Sequence, residues 1–359
     1  MIPHSEFAPR LIAWQREQGR HGLPWQGTHD AYRVWLSEIM LQQTQVSSVI
    51  AYYQRFLQRF PDVQTLAAAP LDDVMALWSG LGYYTRARNL HRCAQQLVEQ
   101  YGGMFPREPE ALSELPGIGR STAAAIAAFA FGVRSPILDG NVKRVLTRIY
   151  GIEGFTGEKR VENGLWALAQ TLLPVAAPDA ETTHAQMSAY TQGLMDLGAT
   201  LCVRGQPECS RCPFHDGCEA RASGRQRLLP QARPKKTTPT RQTLMLILRH
   251  ADCVLLEKRP PSGIWGGLWS LPQAADEASL AVYAQRFGAR APFEKMTGFT
   301  HVFTHFKLEI EPRLAALEHA AAQVADHDDH AWVALTSLDD YGLPAPVRRL
   351  LDGLRGSLL

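Results

Sequence analysis

Four cysteines within seventeen residues near the middle of the chain have the spacing that most clearly predicts a chemical role. They follow the pattern C-x6-C-x2-C-x5-C, at Cys202, Cys209, Cys212 and Cys218. The N-terminal segment lacks the apolar core of an export signal, so we expect a reducing compartment in which these thiols stay free. Four thiolates can bind zinc or an iron–sulfur cluster, and the sulfurs alone do not choose between them. Cys93 and Cys253 stand alone in apolar runs and are typical of core residues.

Glu38 is the first of two carboxylates whose surroundings the sequence predicts. On a helix, three of its four neighbours at three and four residues would be Val34, Trp35 and Leu41. A carboxyl held among apolar side chains loses solvation of its charged form, so its pKa rises and it can act as a general acid. The alternative is a partly exposed helix glutamate without a catalytic role.

Asp139 is the second carboxylate, in a Pro- and Gly-containing loop before a helix predicted from about Asn141. An aspartate at a helix start accepts backbone N–H bonds and lies at the positive end of the helix dipole. Lys143 and Arg144 add positive charge nearby, which favours an ionised side chain. A simple helix cap is the alternative. If Asp139 and Glu38 lie close together in space, their opposite protonation tendencies assign the role of anion to Asp139 and the role of acid to Glu38 in one site.

A glycine turn at 115–123, LPGIGRSTA, lies between two helical patterns. Pro116 stops the first helix, and we expect Gly117 and Gly119 to adopt backbone conformations closed to other residues. The next helix should start near Arg120, and its free N–H groups would then bind an anion such as a DNA phosphate. A plain helix–helix turn is the alternative.

The periodicity of apolar residues predicts two domains joined by a linker. Helical runs punctuated by Pro or Gly fill the chain to about residue 220, at 32–60, 71–78, 90–101, 122–131 and 142–150. Later runs mix strands and helices, with strands at 243–249, 253–257, 299–310 and 332–334, and helices at 280–287 and 347–354. We therefore expect a helical domain at 1–221, a basic linker at 222–240 and an α+β domain at 241–359. No apolar stretch is long enough to span a membrane.

The net charge of +2 conceals an asymmetry between the two parts of the chain. From residue 242 onward there are 11 Lys plus Arg against 14 Asp plus Glu, a charge of −3, so the first 241 residues carry +5. A run of basic residues without acids extends from Arg221 to Arg241. This run would suit a polyanion such as DNA or RNA, or it is a solvated linker.

Taken together, these motifs resemble those of the MutY-type adenine DNA glycosylases, within the endonuclease III-like helix-hairpin-helix superfamily. The matching segments cover nearly the whole first domain: LPW at 23–25, SEIMLQQTQ at 37–45, GLGYYTR at 80–86, LPGIG at 115–119, LDGNVKR at 138–144, MDLG at 195–198 and the four cysteines. The resemblance implies a six-helix barrel plus a cluster module, with a [4Fe–4S] cluster rather than zinc in the cysteine cage. It also implies that Glu38 is the catalytic acid and that Asp139 stabilises or traps the sugar cation.

The same resemblance implies which residues contact DNA. Gln43 and Tyr83 match residues that wedge into the base stack, Leu41 and Thr44 lie beside the oxidised guanine, and Trp25 and Gln192 line the adenine pocket. The hairpin residues Gly117, Gly119 and Ser121 would bind the DNA backbone. Ser121 stands where the bifunctional lyases of the superfamily carry a Schiff-base lysine, and a serine forms no imine, so we expect a monofunctional enzyme.

The second domain resembles the Nudix-like domain of the same family. A Nudix hydrolase needs a glutamate array to bind metal, but the only acids between residues 263 and 290 are Asp276 and Glu277. We therefore expect no phosphate hydrolysis. Phe303, Thr304 and His305 match the loop that contacts 8-oxoguanine in the family, with Thr in place of Ser.

The resulting hypothesis is a monomeric glycosylase that excises adenine opposite 8-oxoguanine or guanine in double-stranded DNA during base excision repair. We expect it in the cytoplasm, at the nucleoid, with no membrane partner. Three alternatives stay open. The first is an endonuclease III-type lyase, which Ser121 and the second domain oppose. The second is a non-catalytic DNA-binding module, which the two carboxylates oppose. The third is a nucleotide-pool hydrolase, which the missing acid array opposes.

Overall fold

The chain folds into two compact units, described here by a computed structural model over residues 1–233, 238–303, 305–318 and 329–356. One unit holds Met1–Ala68 and Asn89–Pro234, and the other holds Ala69–Arg88 and Lys235–Leu359. The second unit thus takes in a segment, 69–88, from within the range that the sequence assigned to the helical domain.

Helices form the regular structure of residues 1–233. In chain order they are α1 (His4–Gln18), α2 (Ala31–Leu41), α3 (Val46–Arg59), α4 (Val63–Ala68), α5 (Leu71–Leu77), α6 (Thr85–Tyr101), α7 (Pro109–Ser113), α8 (Arg120–Phe131), α9 (Gly140–Tyr150), α10 (Lys159–Thr171), α11 (Ala180–Asp196) and α12 (Glu219–Ala222). A π-helical turn, Leu197–Leu201, continues α11 toward the first of the clustered cysteines. The helix α5 and the first residues of α6 belong to the second unit.

The single helical run predicted at 32–60 is two helices in the structure, α2 and α3. The chain leaves α2 at Gln42, and Gln43 takes a left-handed backbone conformation with φ of 58° before α3 starts at Val46. No Gly or Pro marks this break, so the apolar periodicity ran across it.

The helix α8 is the packing centre of the first unit, because its small side chains let other helices approach closely. The buried face of α8 is made of alanines at 123–125, 127, 128 and 130, together with Ile126. The helices α2 and α11 both pack against α8. This packing brings together the helices that carry Glu38 and Gln192.

The core of the first unit extends from α8 through α9, α10 and α11 to α1. Phe7 of α1 stacks on Phe214, from the segment between the cysteines, with ring centroids 4.6 Å apart. Cys202, Cys212 and Cys218 pack against this core. Apolar packing therefore holds the cysteine segment against the core.

In the second unit, the described residues from 238 onward form one eight-stranded sheet and two α-helices. The strands are β1 (Thr240–His250), β2 (Cys253–Lys258), β3 (Trp269–Ser270), β4 (Gln273–Ala274), β5 (Glu294–Lys295), β6 (Phe299–Val302), β7 (Lys307–Ala316) and β8 (His330–Ala334), and the helices are α13 (Glu277–Gln285) and α14 (Ala345–Gly356). The strand β1 pairs in parallel with β7 and antiparallel with β2 and β4.

Both faces of this sheet are covered, because side chains of β1 alternate between two cores. Met245 and Ile247 join a core that includes residues of α14. Leu244, Leu246 and Leu248 join a core that includes residues of α13. This explains why the middle of β1 has a continuous apolar run rather than an alternating one.

None of the helices in the described ranges combines the length and the apolar character needed to cross a bilayer.

Candidate active site and metal centre

A cavity of about 440 Å³ opens in the first unit among α2, α11 and the segment that precedes α2. Three of the residues expected in the active site line it, namely Trp25, Glu38 and Gln192, and Leu41, which was expected beside the oxidised guanine, lines the same cavity. Arg20 and Phe129 also line this cavity. The family resemblance predicted that Trp25, Glu38 and Gln192 share one site, and all three line this cavity.

Glu38 lies on α2 and contributes its half-buried side chain to the cavity wall. Val34 and Leu41, two of the neighbours expected from helical spacing, line the same cavity. Burial raises the pKa of Glu38 to about 8, and the negative charge of Asp139 contributes in the same direction. At neutral pH the carboxyl is therefore mainly protonated, as a proton donor must be.

Asp139 is the N-cap of α9. Its Oδ1 accepts hydrogen bonds from the backbone N–H of Asn141 at 2.9 Å and of Val142 at 2.8 Å. The neighbouring cations make other contacts as well: Lys143 pairs with Glu162 at 2.5 Å, and Arg144 donates to the carbonyl of Cys202 at 2.8 Å. The side chain of Asp139 is held by its own helix and acts on Glu38 through its charge.

Two cavity-lining side chains converge on one buried carboxylate, Asp196. The Nε2 of Gln192 donates to Asp196 at 2.8 Å, and Arg20 donates through its Nε at 2.6 Å and its backbone N–H at 2.9 Å. Asp196 itself is fully buried. Asp196 belongs to the MDLG motif, but the sequence indicated no role for it. Arg20 was not predicted at all, since its only signal was its position just before the LPW motif.

Trp25 supplies the flat apolar part of the cavity wall. It is 8% exposed and packs edge to face against Tyr53, with ring centroids 5.4 Å apart. This contact fixes the indole ring from behind. The polar groups of Glu38 and Gln192 and the ring of Trp25 therefore face one space that can hold a planar ligand.

Gln43 and Tyr83, the two residues expected to wedge into the base stack, share an unusual backbone conformation. Among the described residues, only four that are not glycine have a positive φ, and Gln43 at 58° and Tyr83 at 51° are two of them. Both are exposed; half of the Tyr83 surface is open to solvent. Thr44 follows Gln43, and its hydroxyl donates to the carbonyl of Gln42 at 3.3 Å.

The glycine hairpin departs from the expectation at one of its two glycines. Gly117 has a φ of 81°, and a Cβ there would lie 2.8 Å from the Cβ of Asn89. Gly119 is the N-cap of α8 with a φ of −86°, which any residue can adopt, so the prediction of a special conformation there was wrong. A Cβ on Gly119 would meet no protein atom, which leaves open space beside the first N–H groups of α8.

Ser121 connects the hairpin to the loop that carries Asp139. Its hydroxyl oxygen accepts a hydrogen bond from the backbone N–H of Leu138 at 2.9 Å. The sequence predicted a DNA contact for Ser121 and the absence of an imine there, but this structural link between α8 and the residue before Asp139 was not foreseen.

The four clustered cysteines line one small cavity, with no disulfide among them. In the described chain, no three His, Cys, Asp or Glu side chains come close enough to share a single metal ion. Thiolates around one zinc ion have sulfurs within about 4 Å of one another, since each Zn–S bond is ~2.3 Å. The buried side chain of Arg148 lines the same cavity, donates to the carbonyl of Val203 at 2.8 Å and lies 3.4 Å from the sulfur of Cys202.

An aromatic cluster marks the predicted guanine-reading loop in the second unit. Phe303 stacks on Phe306 at 4.5 Å, and Trp265 lies 5.6 Å from Phe303 between ring centroids. His305 is exposed at the same turn. Thr304 lies outside the described residues.

The two acids between residues 263 and 290 have structural partners in this unit. Asp276 caps α13 by accepting from the backbone N–H of Ser279 at 2.7 Å, and Glu277 pairs with Arg313 at 2.7 Å. Their contacts give them structural roles in the sheet and its helix.

Comparison with known proteins connects these features to two families. Residues 36–171 match the model of the HhH-GPD superfamily base excision DNA repair proteins, and residues 243–353 match the NUDIX domain. A thermostable thymine-DNA glycosylase is 27% identical, with a TM-score of 0.53 over 61% of this chain and 97% of that one. An endonuclease III in a DNA complex, 21% identical, shares the fold with a TM-score of 0.51 over 63% of this chain and 100% of that one.

Full-length relatives settle the family. An adenine DNA glycosylase of Buchnera aphidicola (subspecies Acyrthosiphon pisum) is 36% identical over 353 residues, which cover 98% of each chain. The human adenine DNA glycosylase is 35% identical over 378 residues, 88% of this chain and 67% of that one. The resemblance and the fold class predicted from the sequence are thereby confirmed. With its helix-hairpin-helix domain followed by a Nudix-like α+β domain, the chain belongs to the adenine DNA glycosylase family.

Proposed function

We propose that this protein is a monofunctional DNA glycosylase that removes adenine opposite 8-oxoguanine or guanine from duplex DNA in base excision repair. One observation carries the proposal: Glu38, a carboxyl with a raised pKa, lines a cavity and feels the charge of a second carboxyl, Asp139. The relatives named adenine DNA glycosylases support adenine as the excised base.

Glu38 supplies the proton. Because its pKa is raised to about 8, it holds that proton at neutral pH. It donates the proton to N7 of an extruded adenine, which turns the base into a leaving group. The C1′–N9 bond then breaks, its electron pair leaves with the base, and the sugar becomes an oxocarbenium-like cation.

Asp139 supports the cation. Two backbone N–H groups hold its side chain at the start of α9, where the helix dipole favours an anion. Its carboxylate either stabilises the cation through charge or bonds transiently to C1′. The oxygen of a water molecule then bonds to C1′, displacing Asp139 where that bond has formed, and the water gives a proton to the Glu38 carboxylate, which leaves an abasic site and restores the acid. The division between a neutral acid and a charged partner follows the logic of two-carboxylate glycosidases.

The cavity suits a single flipped base. Its volume of about 440 Å³ falls within the usual range for small-molecule sites. Trp25 offers a flat apolar face, and Gln192 offers an amide for hydrogen bonds to the edge of the base. Extrusion is easiest from a mismatch, where fewer pairing contacts are lost, and this favours adenine in a mispair.

DNA contacts are assigned to exposed or strained positions. We propose that Gln43 and Tyr83 enter the base stack, since a left-handed backbone at an exposed non-glycine residue is a common sign of function. Leu41 and Thr44 adjoin the orphaned guanine base, and Phe303, Thr304 and His305 read its oxidised edge.

The hairpin binds the sugar–phosphate backbone rather than a base. The N–H groups at the start of α8, beside the open space at Gly119, suit a DNA phosphate. Gly117 shapes the turn, and Ser121 holds the following loop. Because position 121 carries no amine, no imine to the abasic sugar can form there.

A [4Fe–4S] cluster is proposed for Cys202, Cys209, Cys212 and Cys218. The four thiols line one cavity but do not form a single-ion site, and a cluster spreads its four cysteines over several irons. A bound cluster would supply iron–thiolate bonds that fix the segment 202–218. We further propose a monomer that acts on double-stranded DNA at the nucleoid, in the cytoplasm.

The test is a single-turnover excision assay on a duplex with one adenine opposite 8-oxoguanine, with alkali used to cleave abasic sites. The wild-type protein should release adenine, and Glu38→Gln should bind the duplex yet lose at least a hundredfold in rate. Borohydride should trap no covalent complex on an abasic duplex. Normal turnover by Glu38→Gln would disprove the acid role, and efficient borohydride trapping would favour a lyase.

A further inference from the structure

We propose that the C-terminal sheet domain holds the loop of Tyr83 in the shape that enters DNA, and that Tyr84 is the positioning residue. This inference rests on the proposed function, in which Tyr83 wedges into the base stack. The loop, called here the Tyr83 loop, comprises residues 79–84. It belongs to the same compact unit as the sheet.

The hydroxyl of Tyr84 joins the Tyr83 loop to the C-terminal domain. It donates a hydrogen bond to the carbonyl of Leu343 at 2.6 Å, and it accepts one from the backbone N–H of Gly80 at 3.3 Å. One oxygen thus connects the start of the loop with a residue just before α14. Hydrogen bonds in such a chain polarise and strengthen one another.

Further contacts on both sides of the loop reinforce this junction. Ahead of the loop, Asp72 of α5 pairs with Lys258 of β2 at 2.7 Å. After the loop, the guanidinium of Arg88 donates to the carbonyl of Gly266. Gly342 packs so closely that a Cβ there would lie 3.0 Å from the Cβ of Met75. The loop is therefore fixed at both of its ends by the sheet domain.

The interior of the loop is held by side chains that flank it in the sequence. The indole N–H of Trp78 donates to the carbonyl of Gly82 at 3.1 Å, and Arg86 donates to the carbonyls of Gly82 at 3.1 Å and Leu81 at 3.3 Å. The side chain of Tyr83 lies at the surface, with half of its area exposed.

Tyr83 needs this support because its backbone conformation is unfavourable for a residue with a side chain. Its φ is 51°, in the left-handed region, between Gly80 at 93° and Gly82 at 75° on one side and α6 on the other. Such a conformation persists only where surrounding contacts determine it. The hydroxyl of Tyr84, with its two hydrogen bonds, is called here the anchor of the loop. If this anchor is removed, the backbone of Tyr83 should relax and its ring should no longer be held in position for insertion.

The anchor has a consequence for substrate choice. The domain that holds the Tyr83 loop also carries Phe303 and His305, which we propose read the oxidised guanine. A guanine contact that steadies this domain would also steady the wedge, so the two events would reinforce each other. Breaking the anchor should therefore weaken the preference for 8-oxoguanine over guanine.

The decisive variant is Tyr84→Phe, which keeps the ring and deletes only the hydroxyl. Its matched control is Tyr283→Phe, which deletes a tyrosine hydroxyl bonded to Glu257 at 2.9 Å within the same domain. The full-length proteins are mixed with a duplex that has 2-aminopurine beside 8-oxoguanine, and insertion is followed by the rise in fluorescence. Tyr84→Phe should lose at least half of that rise and excise adenine about tenfold more slowly, equivalent to about 1.4 kcal/mol. Tyr283→Phe should match the wild type in both.

Hydrogen exchange provides a second readout that does not depend on activity. In Tyr84→Phe, exchange of the amides in the Tyr83 loop should accelerate, while exchange in β1 stays unchanged. Faster loop exchange with normal insertion and a normal 8-oxoguanine preference would overturn the proposal, as would equal defects in both variants. Should the wild type fail to excise adenine at all, the proposed function would fall. Equal excision by the wild type and Tyr84→Phe would instead reject only the anchor.

Discussion

The negative charge of Asp139 acts on Glu38 and adds to the larger effect of burial in raising the pKa of that carboxyl to about 8. The two residues reach this arrangement from different elements. Glu38 projects from the middle of α2 into the cavity, and Asp139 is fixed at the start of α9 by two backbone N–H groups. Asp139 thus contributes to the proton-donor role proposed for Glu38.

A first prediction concerns the pH profile of excision. Since the acid form of Glu38 is needed, the single-turnover rate should fall as pH rises through about 8. Asp139→Asn removes a negative charge that favours the protonated form, so its residual activity should decline at a lower pH than in the wild type. Rates measured from pH 5.5 to 9.5 test this. An alkaline limb that stays in place, or moves to higher pH, would contradict the electrostatic coupling.

A second prediction concerns stability. The pKa of Glu38 is about 8 in the fold and near 4.5 in the unfolded chain, so between these values the folded state binds more protons. Stability due to this group is therefore lost as pH rises, by up to about 1.4 kcal/mol per pH unit. Glu38→Gln carries no charge, so its melting temperature relative to the wild type should rise from pH 5 to pH 8.5.

The control for this experiment is Glu99→Gln, which removes an exposed carboxyl from α6. Its melting temperature should track that of the wild type at every pH. If Glu38→Gln behaved in the same way, the carboxyl would be solvated and unsuited to the role of acid.

Local features of this site were predictable, whereas contacts between distant segments were not. Helical spacing around Glu38 correctly indicated Val34 and Leu41 as neighbours, and the Pro- and Gly-containing loop indicated a helix start at Asp139. Both inferences use only residues within one turn of helix. The role of Asp196, which is 176 residues from Arg20 in the chain, depends on how α11 packs and had no local signal.

The second unit shows the same limit. The pattern of apolar residues predicted the strand at 243–249 and the helix at 347–354, close to β1 and α14. It could not predict that Ala69–Arg88 would join this unit, because those residues have helical periodicity like the rest of the first 220. The break between α2 and α3 at Gln43 was missed for a related reason. Gln43 has a left-handed backbone conformation, which glycine usually marks in a sequence, and no glycine stands there.

A third prediction concerns Asp196, which holds Gln192 and Arg20 at the cavity. Asparagine has nearly the size of aspartate, but one of its two acceptor oxygens is replaced by an NH2 group, which is itself a donor. A donor of Gln192 or Arg20 would then lose its acceptor and stay buried without a partner. Asp196→Asn should lower the single-turnover rate at least tenfold, or about 1.4 kcal/mol. The matched control is Asp179→Asn, an exposed cap at the other end of α11, which should leave the rate unchanged. Equal rates for Asp196→Asn and the wild type would remove Asp196 from the site.

A fourth prediction concerns the cysteine cage. A serine at position 212 is a poor ligand for iron, so Cys212→Ser should lose iron and the broad absorption at roughly 400 nm expected of an iron–sulfur protein. The control is Cys253→Ser, which replaces a half-buried thiol of β2 and should keep both the iron and the absorption. Iron analysis and spectra of the purified proteins decide the matter. Stoichiometric zinc in a colourless wild-type protein would reject the cluster.

The last prediction separates the two hairpin glycines. Gly117→Ala places a methyl group in a left-handed backbone and 2.8 Å from the Cβ of Asn89, so it should destabilise the fold by about 1–3 kcal/mol. Gly119→Ala meets no protein atom and needs no unusual φ, so the fold should be unaffected. Its methyl group would stand beside the first N–H groups of α8, where we place a DNA phosphate. Gly119→Ala should therefore weaken duplex binding severalfold in a fluorescence anisotropy titration without changing the melting temperature. If it bound DNA as tightly as the wild type, the phosphate would have to approach elsewhere, since the substitution leaves the hairpin itself intact.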